Sequence, residues 1–211
     1  MTFADRVEAG QKLAERLSEY AGRADVRLFA LPRGGAVVGA EVAKTLKLPL
    51  DLIITRKIGA PDNEEYAVGA LAETGEVVWN PKELKSYGEA ALRPTVEREQ
   101  SEAKRRIETY RGGRKLPNLK GKTAIIVDDG VATGYTMRAA VAAARHQHAA
   151  TIVVAVPHGA MDSLRTLAKE VDTIIALHRP LVYGAVGAYY SIFGQTTDVE
   201  VQKIMKTYGP K

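Results

Sequence analysis

A chain of 211 residues, 45% hydrophobic and 26% charged, has the balance of a globular protein built around one large domain. Its formal charge of +5 and pI near 9.3 suit a phosphorylated small ligand, and since no basic stripe studded with aromatics occurs, nucleic acid is not the expected partner. The lack of cysteine excludes disulfides, thiolate metal sites and thiol catalysis, and with no run of about 18 apolar residues a cytoplasmic location away from membranes is expected.

In chain order, Phe3, Val7, Gly10, Ala14, Leu17 and Ala21 recur at spacings of four and three, the apolar stripe of a surface helix. VRLFAL (26–31) reads as a buried strand stopped by Pro32-Arg33-Gly34-Gly35; AVVGAEVAKTL (36–46) resumes helical spacing, and DLIIT (51–55) is a second buried strand. Strand, glycine turn, helix and strand make a βαβ unit and imply a parallel sheet. The stretch 56–74 is rich in glycine and acidic residues and reads as a long loop or irregular hairpin, from which GEVVWN (75–80) returns as a strand. Pro94 suits the first turn of a helix whose inner positions are Val96, Gln100, Ala103, Ile107 and Tyr110. A basic connector (111–122) leads to the third buried strand TAIIV (123–127), then a polar glycine loop and a helix over 135–147. TIVVAV (151–156) and TIIAL (173–177) are two more strands with a helix between them; the glycine- and tyrosine-rich tail from Arg179 ends in a helix near 199–208. The sum is an α/β fold: a five-stranded parallel sheet flanked by helices, with the terminal segments outside it.

The chemistry concentrates in AIIVDDGVATGYTM (124–137). Its apolar run buries a strand and delivers Asp128 and Asp129 to the strand's carboxyl end, where open α/β sheets bind ligands. Gly130, Val131, Ala132, Thr133, Gly134, Tyr135 and Thr136 then lead into a helix whose free amides and dipole favour a phosphate. Acceptors for sugar hydroxyls thus stand beside donors for a phosphate, a combination that suits a sugar 5-phosphate. At the end of the first strand, after Pro32, Arg33 with Gly34 and Gly35 offers backbone donors and a cation, as a diphosphate requires.

The apolar run, acidic pair and Thr-Gly-x-Thr resemble the phosphoribosyl pyrophosphate signature of the type I phosphoribosyltransferases. LPRGG (31–35) resembles that family's pyrophosphate loop, most closely that of the xanthine-guanine enzymes. With RKIGAP (56–61), AVGA (67–70), VDDGVATG (127–134) and AVGAYY (185–190), the chain is similar along nearly its whole length to stand-alone bacterial and archaeal phosphoribosyltransferase-like proteins. The resemblance implies a core over about 24–178 and a small hood from 1–23 and 179–211. It implies Mg²⁺-dependent transfer of the phosphoribosyl group to a nitrogenous base or similar small acceptor, in a homodimer. Asp128 and Asp129 would hold the ribose hydroxyls and, through them or water, the metal. Residues 132–136 would cradle the 5-phosphate, and Arg33, Arg56 and Lys57 would serve the pyrophosphate, the last two from a flexible lid loop.

Two departures matter. Ala132 stands where the hypoxanthine-guanine enzymes carry a proton-handling Asp, as adenine and uracil enzymes also have a small residue there; Glu64 and Glu65 in the loop are the substitute acid/base candidates. Ser191-Ile192-Phe193 lacks an Asp expected before the Phe. Tyr183, Tyr189, Tyr190 and Phe193 either stack on a flat base or form the core of the hood. His146, His148, His158 and His178 show no metal-ligand spacing and read as structural or solvated. A module that senses phosphoribosyl pyrophosphate or a nucleotide without turnover is the alternative to an enzyme, because one fold serves both.

Overall fold

Asp5 starts the first helix, α1 (Arg6–Arg16), by accepting from the amides of Val7 and Glu8. The helix is shorter than the apolar stripe because Phe3 lies ahead of the cap and bridges to Tyr190. The computed structural model describes residues 1–210 and continues through β1 (Val26–Ala30), α2 (Gly34–Leu46) and β2 (Leu50–Leu52). A hairpin follows, β3 (Thr55–Ala60) and β4 (Asn63–Ala72), with β5 (Val77–Trp79) pairing back on β4. Two helices, α3 (Pro81–Tyr87) and α4 (Glu89–Arg111), precede β6 (Thr123–Val127), α5 (Tyr135–His146), β7 (Thr151–His158), α6 (Met161–Leu167) and β8 (Thr173–His178); α7 (Asp198–Tyr208) lies in the tail.

The main sheet has the order β2-β1-β6-β7-β8 with every pairing parallel, which is the expected five-stranded sheet. Alternate residues point to opposite faces. Leu28, Ile125 and Val153 meet Leu13 of α1, Val38 and Val42 of α2 and Ala103 of α4 on one face; Phe29, Ile126 and Val154 meet Met137 and Val141 of α5 and Leu164 of α6 on the other. No helix among the described residues is long and apolar enough to cross a membrane.

Several elements differ from the sequence reading. DLIIT does not form one strand. The amide of Ile53 still donates to Ala30, but that of Ile54 is taken by the Glu73 carboxylate at 2.8 Å, so the chain leaves the sheet after β2 and Thr55 opens the hairpin. The stretch 56–74 is therefore an ordered hairpin, with register slips around Ile58, Gly59 and Ala60. Pro94 lies inside α4, because α3 ends at Gly88 (φ 78°) and α4 begins at the next residue, burying Leu92 before the proline is reached. The terminal segments pair with each other: Phe3 donates to Tyr189 and accepts from Ser191, both at 2.8 Å. From Asp198 onward the tail rejoins the sheet, since Val201 and Met205 of α7 sit in the core cluster with Leu28 and Val38.

Candidate functional site

The loop after β6 is pinned from behind by β7 and α6. The amide of Val131 donates to His158 O at 3.0 Å, Val131 O accepts from Ala160 at 2.8 Å, and Ser163 Oγ donates to Ala132 O at 2.6 Å. Gly134 takes φ 82°, a left-handed turn that costs glycine nothing, and opens α5. The amides of residues 133–136 have no protein acceptor among the described residues and stand at the positive end of that helix. Every residue of 128–136 lines one cavity of about 220 Å³, closed on the other side by Lys57, Ala67 and Gly69 of the hairpin and by Val186 of the tail. A larger cavity, about 460 Å³ between α6 and β8, has Leu164, Arg165, Val171 and Arg179 on its walls but neither an acidic pair nor loop amides.

The two carboxylates are the floor of the smaller cavity. Asp128 Oδ1 accepts from the amide of Asp129 at 2.8 Å; enclosure, followed by the neighbouring Asp129 charge, pushes the Asp128 carboxyl well above its usual range. Asp129 Oδ2 pairs with Arg6 Nε at 2.8 Å, and its main-chain oxygen accepts from the Tyr190 hydroxyl at 2.5 Å. Gly34 and Gly35 lie directly against this pair. A Cβ on Gly34 would fall 1.9 Å from Asp129 Oδ2, and one on Gly35 2.7 Å from Asp128 Oδ1, so any side chain at either position would collide with the carboxylates. The Pro32–Arg33 peptide beside them is cis.

The expected pyrophosphate and lid residues divide. Lys57 lines the cavity and its Nζ donates to Glu65 O at 3.2 Å and Glu65 Oε2 at 3.1 Å. Arg56, its neighbour on β3, lies on the other face of the strand and pairs with Glu99 of α4 at 2.7 Å. Arg33 reaches not into the cavity but toward Asp198 at the start of α7, at 3.5 Å, where Arg105 (3.0 Å) and Tyr110 (2.6 Å) also converge. Glu64 is exposed and paired with Arg98, and Glu65 is 93% exposed; neither lines the cavity. Among the described residues no group of three or more acidic or histidine side chains could cage a metal. The pair Asp128 and Asp129 still fits a Mg²⁺ ion held largely by ligand oxygens and water, the usual way that ion is bound.

Arg6 is a contributor that sequence reasoning missed, and Tyr190 and His158, expected only as a base-stacking or hood-core aromatic and as a structural or solvated histidine, join it at the acidic pair and its loop. His158 ends β7 directly behind Gly130, where a Cβ would lie 2.5 Å from its ring. It is fully buried, its Nδ1 is 2.9 Å from the Tyr183 hydroxyl, and burial, aided by His178, pushes its pKa down to about 4. Tyr183, Tyr189 and Tyr190 pack around it with ring centroids 5.8, 4.5 and 5.3 Å away, and Phe193 stacks on Tyr190 at 5.2 Å. Of the two readings open for these aromatics, the structure shows them packed on one another. The signals were faint: a strand two residues longer than its apolar run, and an arginine one step past a helix cap.

Residues 4–187 match the family model described as phosphoribosyl transferase domain. Two Mycobacterium tuberculosis proteins, MT0597 and Rv0571c, both bearing the name phosphoribosyl transferase without a stated substrate, are each 44% identical over 201 residues. The match takes in 94% of this chain and 45% of theirs, so the chain spans less than half the length of these curated relatives. The crystal structure of TT1426 from Thermus thermophilus is 39% identical and superposes over all of both chains with a TM-score of 0.80. The AQ2163 protein of Aquifex aeolicus, 10% identical, shares the fold over 82% of this chain and 74% of its own, with a TM-score of 0.51.

Proposed function

The chain belongs to the phosphoribosyl transferase domain family, and from that premise we propose that it transfers the 5-phosphoribosyl group of phosphoribosyl pyrophosphate, with Mg²⁺, to a nitrogenous base or similar small acceptor. The observation that carries the reading is the single cavity that unites the acidic pair with the unpartnered amides of the loop before α5. In this reading the 5-phosphate takes the amides of 133–136 and the hydroxyls of Thr133 and Thr136, while Asp128 and Asp129 take the ribose hydroxyls. The acceptor nitrogen bonds to the anomeric carbon as the bond from that carbon to the pyrophosphate oxygen breaks, and the acceptor's proton is lost to solvent or base. Positive charge develops on the ring, and the carboxylates beneath it stabilise that charge without moving. Asp128 and Asp129 would hold the Mg²⁺, whose chemistry there is to neutralise the departing pyrophosphate. On the pyrophosphate side, Lys57 and the backbone beside Gly34 and Gly35 adjoin the ligand; Arg33 joins them by leaving Asp198, and Arg56 stays on Glu99. The β3–β4 hairpin excludes water. A cytoplasmic homodimer accompanies this reading.

Calorimetric titration with phosphoribosyl pyrophosphate, with and without Mg²⁺, tests it. Saturable, Mg²⁺-dependent binding is expected, weakened about tenfold or more, or over about 1.4 kcal/mol, by Asp128→Asn with Asp129→Asn. No binding under either condition overturns the reading. Binding without pyrophosphate release across a panel of bases replaces the transferase with a sensor.

A further inference from the structure

Asp129 is gripped from both ends of the chain. The N-terminal arm supplies Arg6, whose Nε meets the carboxylate at 2.8 Å; the C-terminal arm supplies the Tyr190 hydroxyl, which donates to the main-chain oxygen of the same residue at 2.5 Å. Arg6 is itself shared between the arms: Nη1 donates to Gly194 O at 2.8 Å, and its guanidinium carbon lies 3.9 Å from the centre of the Phe193 ring. The side chains of Arg6 and Asp129 are only 11% and 14% exposed, so this pair is not of the weak, solvated kind. We propose that Arg6 is a positioning residue for the phosphoribosyl site, coupling the pairing of the terminal arms to the presentation of the Asp129 carboxylate.

The geometry states how. Arg6 fixes Asp129 Oδ2 against Gly34, on the side where a Cβ would have no room. Oδ1 takes no part in the Arg6 pair and is the oxygen left for a ligand. Without the guanidinium, a nearly buried carboxylate would stand beside Asp128 with no countercharge and would turn toward solvent. The influence runs both ways, as any equilibrium coupling must. Whatever orders Asp129 strengthens the arm pairing, and whatever splays the arms loosens Asp129. The phosphoribosyl part of this inference rests on the function proposed above; the coupling between arms and carboxylate does not, and the two are measured separately.

The coupling is read by hydrogen exchange in the ligand-free protein. The amides of Phe3, Ser191 and Ile192 donate across the arms and report their pairing. Arg6→Ala and Asp129→Asn should each speed their exchange about tenfold, and the double variant should be no faster than either single one, as expected for two halves of one interaction. Multiplying effects in the double variant would overturn the coupling. The positioning role is read by kinetics. Arg6→Ala should raise the KM for phosphoribosyl pyrophosphate at least tenfold with a smaller change in kcat, and Arg6→Lys, which keeps the charge and the fold, should recover most of that loss. An unchanged KM in Arg6→Ala, with only a lower melting temperature, sinks the positioning role. A wild-type protein that fails to bind phosphoribosyl pyrophosphate while the exchange cycle closes as expected overturns the function and the ligand side of the inference, and leaves the arm coupling established.

Discussion

The floor and the roof of the cavity are built by opposite means. The floor is one contiguous segment at the end of a central strand, and its backbone is hydrogen-bonded to the next strand and to α6. The roof is a hairpin outside the main sheet, joined to the body by side chains: Ile58, Val68 and Leu71 in the core, Arg56 on Glu99, Glu73 and Arg111 at its base, and Asp62, Glu64 and Tyr66 near its tip. A floor that must hold several amides in one geometry gains from backbone anchoring, because no single side-chain change can release it. A roof that must admit and release a ligand gains from the reverse, a firm base and weak tethers at its tip.

The base should show the largest effect. Arg111 is fully buried, pairs with Glu73 and donates from Nη1 to Leu52 O at 3.1 Å, while Glu73 holds the Ile54 amide. Arg111→Ala strands the Glu73 carboxylate in the interior and should cost about 3–5 kcal/mol in urea unfolding. Adding Glu73→Gln should restore part of this, since the stranded charge is gone. A loss below about 1 kcal/mol for the single variant would break the contrast, because the base would then be no firmer than the tip.

The floor should show its dependence on what lies behind it. His158 carries the carbonyl to which Val131 bonds, and its ring is held neutral by burial among Tyr183, Tyr189 and Tyr190, with His178 adding to the effect. Its pKa falls from 6.5 to about 4 in the folded protein. Between those two values the unfolded chain binds a proton that the folded one refuses, so stability decreases as pH falls through the window and is unaffected above it. The whole loss is at most about 3 kcal/mol, reached near pH 4. His158→Gln should flatten this part of the stability profile. Equal slopes in the variant and the parent would show that the histidine is not the floor's titrating support.

The same contrast explains what the sequence revealed. The strands of the parallel sheet and the phosphate loop were legible because each rests on contiguous residues: an apolar run makes a strand, and acidic and glycine positions after it make a loop before a helix; the order of the strands was not. Gly34 and Gly35 were legible as a turn, but their reason is tertiary, the two carboxylates lying where side chains would go. The early end of β2 was invisible because it depends on Glu73, far along the chain, capturing the Ile54 amide. Arg33 and Arg56 were expected at the ligand because cations suit phosphates, yet each has an acidic partner on a helix, Asp198 and Glu99, that local spacing does not disclose. Arg6 and His158 carried only faint local signals, one step past a helix cap and at the end of a strand longer than its apolar run.

The tip tethers should have the smallest effect on stability. Arg98 pairs with Glu64 at 2.8 Å with both side chains mostly exposed (52% and 72%), and Tyr87 donates to Asp62 at 2.9 Å. Contacts of this exposed kind contribute about 0.2–1 kcal/mol and weaken with salt. Arg98→Ala combined with Tyr87→Phe should therefore leave the urea midpoint nearly unchanged. The same change should still matter locally, because the opening free energy of a hairpin tip is itself small: about 1 kcal/mol raises the open fraction about fivefold. Exchange at the Glu65 amide, bonded within the turn to Asn63 at 3.1 Å, should accelerate by about that factor, while exchange along β6 stays as it was. High salt should reproduce part of the effect in the unaltered protein. A tip whose exchange ignores both the substitutions and the salt would be held by the packing of β4 on α5 instead, and the roof would then be as rigid as the floor.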